Sequence, residues 1–403
     1  MTSDTKKRSC LDLVLAAILA VLGIGSISGS LAQVQIDLPV TPEAVRHGWD
    51  PQLVDHSPPT PEFQAFSAAS NSAGAVVHLW DYEKAINGGE HFPVFRQLIG
   101  DCVANGAARA LNCRQAVAIG TDRPDLEFRP ANRPWIYGVS RTDPQIGSGK
   151  LGRGDGSVGE WAKRACELRG VLADDESGVP AYSAAVAKEW GYKGPPKEFY
   201  AKAEPFRLRS SSKVRTYEQL RDAIASGYPV TIASNVGFKM EPLVRDGKSW
   251  GVRSGTWAHQ MCITGIDDTA KSPFDRKIGA AYICNSWGAD AHGTPADDAP
   301  PGGFWVDRTT VEKILAADDS WAFADFDGWK VRDLNFHVFG AGPPQAIAHF
   351  PAEAVPLVAA SEAFIGLPED YARYLGGGSA LASALTLLNA VRCRRRRVTT
   401  LAA

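Results

Sequence analysis

Cys102 stands where chemistry could start. It follows Gly100-Asp101 and opens onto Val103–Ala118, whose small and apolar residues read as a buried helix. A thiol attacks well only as a thiolate, and a helix N-terminus and a nearby imidazolium both lower its pKa. Gly100-Asp101 supplies the break before that helix and a candidate cap. His259 is the best-placed imidazole. It opens a strand-like stretch, HQMCITGID, after the flexible Ser254-Gly255-Thr256. The next such stretch, AAYICNSW, closes on Asn285-Ser286-Trp287. If the two strands pair, the Asn285 amide can orient the imidazole, and Trp287 can shield that hydrogen bond from water.

These residues need elements to hold them. Glu160–Leu168 and Tyr217–Ala225 have the spacing of amphipathic helices, the first stopped at Gly170 and the second closed by Gly227-Tyr228-Pro229. Pro229–Ser234, His259–Asp267, Ala280–Trp287 and Gly303–Asp307 read as strands. Helices come first and strands follow, which predicts an α+β fold with a helical half and an antiparallel half. The Pro-rich residues 33–75 read as an extended arm, residues 76–334 as the folded domain, and residues 335–403 as a C-terminal extension.

Taken in order, the glutamine-bearing loop RQLIGDCVANG, then AHQMCITGID, then YICNSWG resemble the papain-like cysteine peptidases, over about Leu79 to Gly328. The resemblance implies two lobes, one helical and one of antiparallel strands, with the active-site cleft between them. It implies Cys102 as nucleophile, His259 as general acid/base and Asn285 as the orienter of His259. Gln97 would join the Cys102 N–H in holding the oxyanion. Gly154-Asp155-Gly156-Ser157 resembles the loop that holds substrate backbone, so Gly156 and Ser157 are expected on the substrate side, with Trp287 as the shielding indole. Trp80-Asp81-Tyr82 resembles the family's mature N-terminus. The implied activity is peptide-bond hydrolysis through a thioester, with a polypeptide as partner and no cofactor.

The Cys loop departs from the family's Cys-Gly-Ser-Cys-Trp. Gln97 stands one residue closer to the nucleophile, Asp101 replaces serine, and the first cysteine of the loop is missing, with its disulfide. Asp101 beside the thiol would raise the thiol pKa unless it caps the helix. The arm before Trp80 shows no helical inhibitory pro-segment. Two other readings stay open: a degenerate fold of this kind that binds without catalysing, and another Cys–His amidohydrolase.

The rest of the sequence narrows the function classes. A net charge of −2 argues against a general nucleic-acid binder. The cysteines of the body, Cys102, Cys113, Cys166, Cys262 and Cys284, form no C-x-x-C pair, and no H-E-x-x-H occurs, so no metal site is expected. Cys262 and Cys284, on neighbouring candidate strands, could bridge or stay free. Gly147–Gly152 matches G-x-G-x-x-G but follows Pro144 rather than a strand, which argues against a nucleotide site. Lys6, Lys7 and Arg8 precede the apolar run Leu11–Ala32, so residues 1–32 read as a signal peptide or an N-terminal anchor, and export is expected. SALASALTLLNAV followed by Arg392-Cys393-Arg394-Arg395-Arg396-Arg397 resembles a membrane-sorting tail of the bacterial PEP-CTERM kind; the alternative is an amphipathic helix with a solvated basic end. A membrane tether could thus lie at either end, and no feature fixes an oligomeric state.

Overall fold

The computed structural model describes residues 48–56 and 72–326, apart from 122, 148 and 150. All of them lie in one unit of the chain, Met1–Pro344. The readings made for residues 1–32 and for the C-terminal tail fall outside the described residues. Among the described residues no helix is long and apolar enough to cross a membrane.

The helices are α1 (Trp80–Ile86), α2 (Cys102–Thr121), α3 (Arg133–Thr142), α4 (Gly159–Arg169), α5 (Ala184–Lys193), α6 (Glu198–Ala203), α7 (Tyr217–Ala225) and α8 (Arg308–Leu315). The strands are β1 (Val76–His78), β2 (Leu208–Lys213), β3 (Val230–Phe238), β4 (Leu243–Arg245), β5 (Lys248–Trp250), β6 (Arg253–Lys271), β7 (Ile278–Cys284), β8 (Gly303–Asp307) and β9 (Trp321–Phe326). They make one sheet in the order β2-β9-β3-β6-β7-β8-β5-β4, with β1 also paired to β6. Every pairing is antiparallel except β5 with β8. Local chemistry fixes several boundaries. Thr216 and Gln219 form a capping box at α7, and the Asp307 carboxylate accepts the Thr310 N–H at the start of α8.

The fold class is the α+β expected from the sequence, and the two larger of three buried clusters give it two halves. The first gathers Trp135, Trp161, Trp190 and Phe199 from the helices. The second lies on the sheet, with Tyr217, Leu220, Ile263, Val306 and Val311. Helix α2 belongs to both: Val103, Ala107 and Leu111 enter the first cluster, and Cys113, Ala116 and Val117 the second. Its small residues explain why it is buried nearly throughout and lies close against β6. At Gly106, an added Cβ would stand 3.1 Å from the Gln260 side chain and 3.3 Å from the Met261 carbonyl oxygen. A buried ion pair, Arg109 Nη2 to Glu83 Oε2 at 2.7 Å, joins α2 to α1.

Three expectations are corrected. The order is not strictly helices then strands, because β1 precedes the helices and β2 interrupts them. His259 does not open its strand. β6 starts at Arg253, and its buried run His259–Asp267 reads as a central strand covered on both sides, with His259 well inside the strand. β7 ends at Cys284, so Asn285 lies one residue past the strand, where the chain turns to receive the Gln97 N–H on the Ser286 carbonyl at 2.7 Å.

Candidate active site

Cys102 is the first residue of α2 and is fully buried. Its Sγ accepts the backbone N–H of Gln260 at 3.3 Å, which brings β6 directly beside the thiol. Burial pushes the thiol pKa up to about 12; the Gln260 N–H opposes that shift, and Asp101 adds to it. The lowering expected at a helix start is therefore outweighed, and the group is a neutral thiol at ordinary pH. Asp101 does not cap the helix with its side chain. Its Oδ1 accepts from Asn105 Nδ2 at 3.0 Å and its Oδ2 from the Tyr182 hydroxyl at 2.9 Å. Burial raises its carboxyl to about 7, against the pull of Tyr182 and Arg133.

His259 precedes Gln260 on β6, so its backbone is one residue from the group that meets the thiol. Its Nε2 lies 2.8 Å from Asn285 Oδ1. The same Oδ1 accepts the Ser286 N–H at 2.7 Å, which fixes which end of the Asn285 amide faces His259. Nδ2 is then turned to His292 Nε2 at 2.9 Å, and His292 Nδ1 lies 2.9 Å from the Met240 carbonyl oxygen. Only one assignment satisfies the chain: His292 carries its proton on Nδ1 and accepts on Nε2, while His259 donates from Nε2 and keeps the lone pair of its neutral form on Nδ1. Burial lowers the His292 pKa to about 4, which keeps it an acceptor. Trp287 covers this line of bonds, with its ring centroid 4.9 Å from that of His259.

Gln97 is buried and enters through the bridge that pairs Arg96 with Trp287. The Ser286 hydroxyl donates to its Oε1 at 2.6 Å, and its Nε2 donates to the Ile99 carbonyl at 3.2 Å. The Asp101 N–H returns to the same Ile99 carbonyl at 2.8 Å, closing a three-residue turn.

The loop of Gly156 and Ser157 is threaded around one buried side chain. The Arg141 guanidinium donates to the carbonyls of Gly152 and Gly191 at 2.9 Å, and also to those of Gly154 and Gly156. Asp155 Oδ2 accepts the Gly100 N–H at 2.9 Å and so ties this loop to the Cys loop.

Residues 48–50 lie across this site, which the reading of residues 33–75 as an extended arm did not foresee. Gly48 and Trp49 both donate N–H to the Ala258 carbonyl at 3.1 Å. On the other side Ser157 N–H reaches the Gly48 carbonyl, and the Asp50 N–H reaches the Ser157 carbonyl, each at 3.0 Å. Gly48 is pressed so closely that an added Cβ would lie 2.8 Å from Cys102 Sγ and 2.6 Å from the Gly100 carbonyl oxygen. The Trp49 indole N–H donates to Asp319 Oδ2 at 2.8 Å.

Cys102, His259, Asn285, Gln97, Trp287, Gly156 and Ser157 thus stand around one place. His292, Arg141, Asp319 and the segment from Gly48 were not singled out in the sequence; a histidine seven residues past Asn285 carries no local mark of its partner. Cys262 and Cys284 are register partners on β6 and β7, and both are free thiols.

No family model matches the chain, and no curated protein matches it. Solved structures similar to it include xylellain, a cysteine protease from Xylella fastidiosa, at 20% identity over 69% of this chain and 96% of that one, with a TM-score of 0.47. Procathepsin B S9 from Trypanosoma congolense is similar at 11% identity, over 80% and 97% of the two chains, with a TM-score of 0.45. Procathepsin L 3 of Tenebrio molitor larval midgut is similar at 14% identity, over 69% and 76%, with a TM-score of 0.41. At these identities the function is read from the geometry of the site itself.

Proposed function

We propose that this chain is a cysteine peptidase of the papain-like kind, held closed by its own residues 48–50. The observation that carries the reading is the 2.8 Å contact of His259 Nε2 with Asn285 Oδ1, on the strand residue next to the one whose N–H meets Cys102 Sγ. Once the arm leaves, water reaches the thiol, the desolvation that holds its pKa up is relieved, and His259 Nδ1 can take its proton. The thiolate then attacks a peptide carbonyl carbon, and the electron pair moved onto oxygen is held by the Cys102 N–H and Gln97 Nε2. Collapse expels the amine, protonated by the His259 imidazolium. Water, deprotonated by His259, cleaves the thioester and restores the thiol.

One observation favours a non-catalytic binding module instead: Cys102 is wholly covered and its thiol is pushed up to about 12. Iodoacetamide labelling at mildly acidic pH separates the two readings, using the full chain with Gly48→Ala to dislodge the arm. The other four cysteines of the body are buried with raised pKa values, so labelling there is slow. A peptidase predicts that Cys102 reacts much faster than free cysteine and that Cys102→Ala abolishes peptide hydrolysis. Labelling no faster than free cysteine supports the binding module.

A further inference from the structure

Among the described residues of the arm, Trp49 is the large side chain at the site, and it is 4% exposed. It shares a buried cluster with Val158, Ala162, Ala233 and Trp321. Its polar atom meets a single acceptor, Asp319 Oδ2, at 2.8 Å. Asp319 is itself 1% exposed and receives three further N–H groups: Gly159 on Oδ2 at 2.7 Å, and Glu160 and the Trp321 indole on Oδ1, each at 2.8 Å. The carboxylate is therefore fixed by the start of α4 and by Trp321, whether or not Trp49 is present. When the arm leaves, an indole-sized apolar space opens with one strong acceptor at its end. The backbone that flanks Trp49 is held by both polar groups of Ser157, which any extended peptide could use in the same way.

We propose that the space filled by Trp49 is a substrate side-chain pocket that selects tryptophan, with Asp319 as the selecting residue. The proposal rests on the peptidase reading of the cleft. A purely apolar side chain would fill the space but leave the buried Oδ2 without its second donor, a loss of the kind that gives polar pockets their discrimination. Three of the acceptor positions of Asp319 are already filled by the fixed N–H groups of Gly159, Glu160 and Trp321. The pocket therefore offers one remaining position, which suits a single N–H better than the several donors of a cationic side chain. A neutral, flat side chain with one N–H at its far end matches both conditions.

The test uses the full chain carrying Trp49→Ala, which empties the pocket and leaves Asp319 untouched. Calorimetry with indole, benzothiophene and benzamidine compares an N–H donor, its sulfur isostere without the N–H, and a cation. Indole is expected to bind about tenfold more tightly than benzothiophene, the usual ratio for a hydrogen bond to a charged group, and more tightly than benzamidine. Equal binding of indole and benzothiophene, or tighter binding of benzamidine, overturns the proposal. Digestion of a mixed peptide library is expected to place tryptophan at one fixed position from the scissile bond. Cleavage without that enrichment also overturns it. If Cys102 is alkylated but no peptide is cut, the peptidase reading fails, while the calorimetry still decides the pocket. Should Trp49→Ala not fold, Gly48→Ala, which crowds Gly100 and Cys102 and so displaces the arm, serves in the library digest.

Discussion

Asn285 is held from three directions: by His259 on Oδ1, by the Ser286 N–H on the same oxygen, and by His292 on Nδ2. The third hold is the one that stops the amide from turning over, since a flipped Asn285 would aim Nδ2 at a donating His259. Replacing His292 by alanine leaves a buried N–H donor without its acceptor, a cost of about 1–3 kcal/mol. On the peptidase reading, the expected result in steady-state kinetics of the chain opened by Gly48→Ala is a kcat lowered about tenfold with KM little changed, and partial rescue by His292→Gln. A merely structural role would lower Tm without that split. His292 also has a pH signature. Its native pKa, about 4, lies below the ordinary histidine value, so unfolding takes up a proton between about pH 6.5 and 4. Stability from His292 is complete above that window and is lost as pH falls through it, and a Tm–pH series on wild type and His292→Gln reads it directly. Asp101 has the opposite sign. Its pKa, raised to about 7, makes the native state the better proton binder, so its contribution falls as pH rises from about 4 to 7. Asp101→Asn should flatten that part of the Tm curve.

The arm, the Cys loop and the loop of Ser157 act as one assembly of short elements. Gly48 is the position where that assembly can be broken with least damage elsewhere, because its missing Cβ is what lets the arm approach Gly100 and Cys102. Gly48→Ala puts a carbon within 2.6–2.8 Å of both, closer than real contacts allow, so the arm or the Cys loop must shift, and the arm is expected to move away. Hydrogen exchange should then speed up at the Ser157 and Asp50 amides, both held by arm pairing in the wild type, while the β6 amides stay protected. Unchanged exchange at Ser157 would mean that the arm stays seated and that its packing tolerates a methyl group. Helix α2 is the other sensitive element. Gly106→Ala crowds Gln260 and the Met261 carbonyl, and overpacking of this kind costs about 1–3 kcal/mol. A Tm lowered by several degrees is expected, since each kcal/mol shifts a domain of this size by about 2–4 °C.

At the scale of the whole molecule, two buried cores share α2, and the candidate site lies where α2 meets β6. Most of this was legible in the sequence. α7 and β8 have the residue ranges their periodicity implied, and α4 runs one residue further at each end. Cys102 and Asn285 could be picked out because each sits at a change of pattern, loop to helix or strand to turn, and His259 because it heads the apolar run HQMCITGID, although its strand starts earlier. What was not legible shares a physical cause: it depends on contacts between residues far apart in the chain. Arg141 looks like any helical arginine until Gly152, Gly154 and Gly156 wrap around it. Asp319 looks like a loop acid until the start of α4 and two indoles meet it. The strand start at Arg253 was missed because Ser254-Gly255-Thr256 reads as a break, whereas pairing with β3 carries the strand through it. The arm has no helical periodicity in its sequence, and only Gly48 in place against Cys102 shows what residues 48–50 cover.

The central claim is that Cys102 is a peptidase nucleophile kept covered by the arm. Hydrolysis of a tryptophan-containing fluorogenic peptide by wild type, Gly48→Ala and Gly48→Ala/Cys102→Ala, under identical conditions near neutral pH, tests it most directly. The account predicts at least about a tenfold rise on displacing the arm, as burial is relieved and the thiol pKa falls, and complete loss in the double variant. Hydrolysis that survives in the double variant, or a Gly48→Ala chain whose Cys102 is alkylated readily yet cuts no peptide, would contradict it.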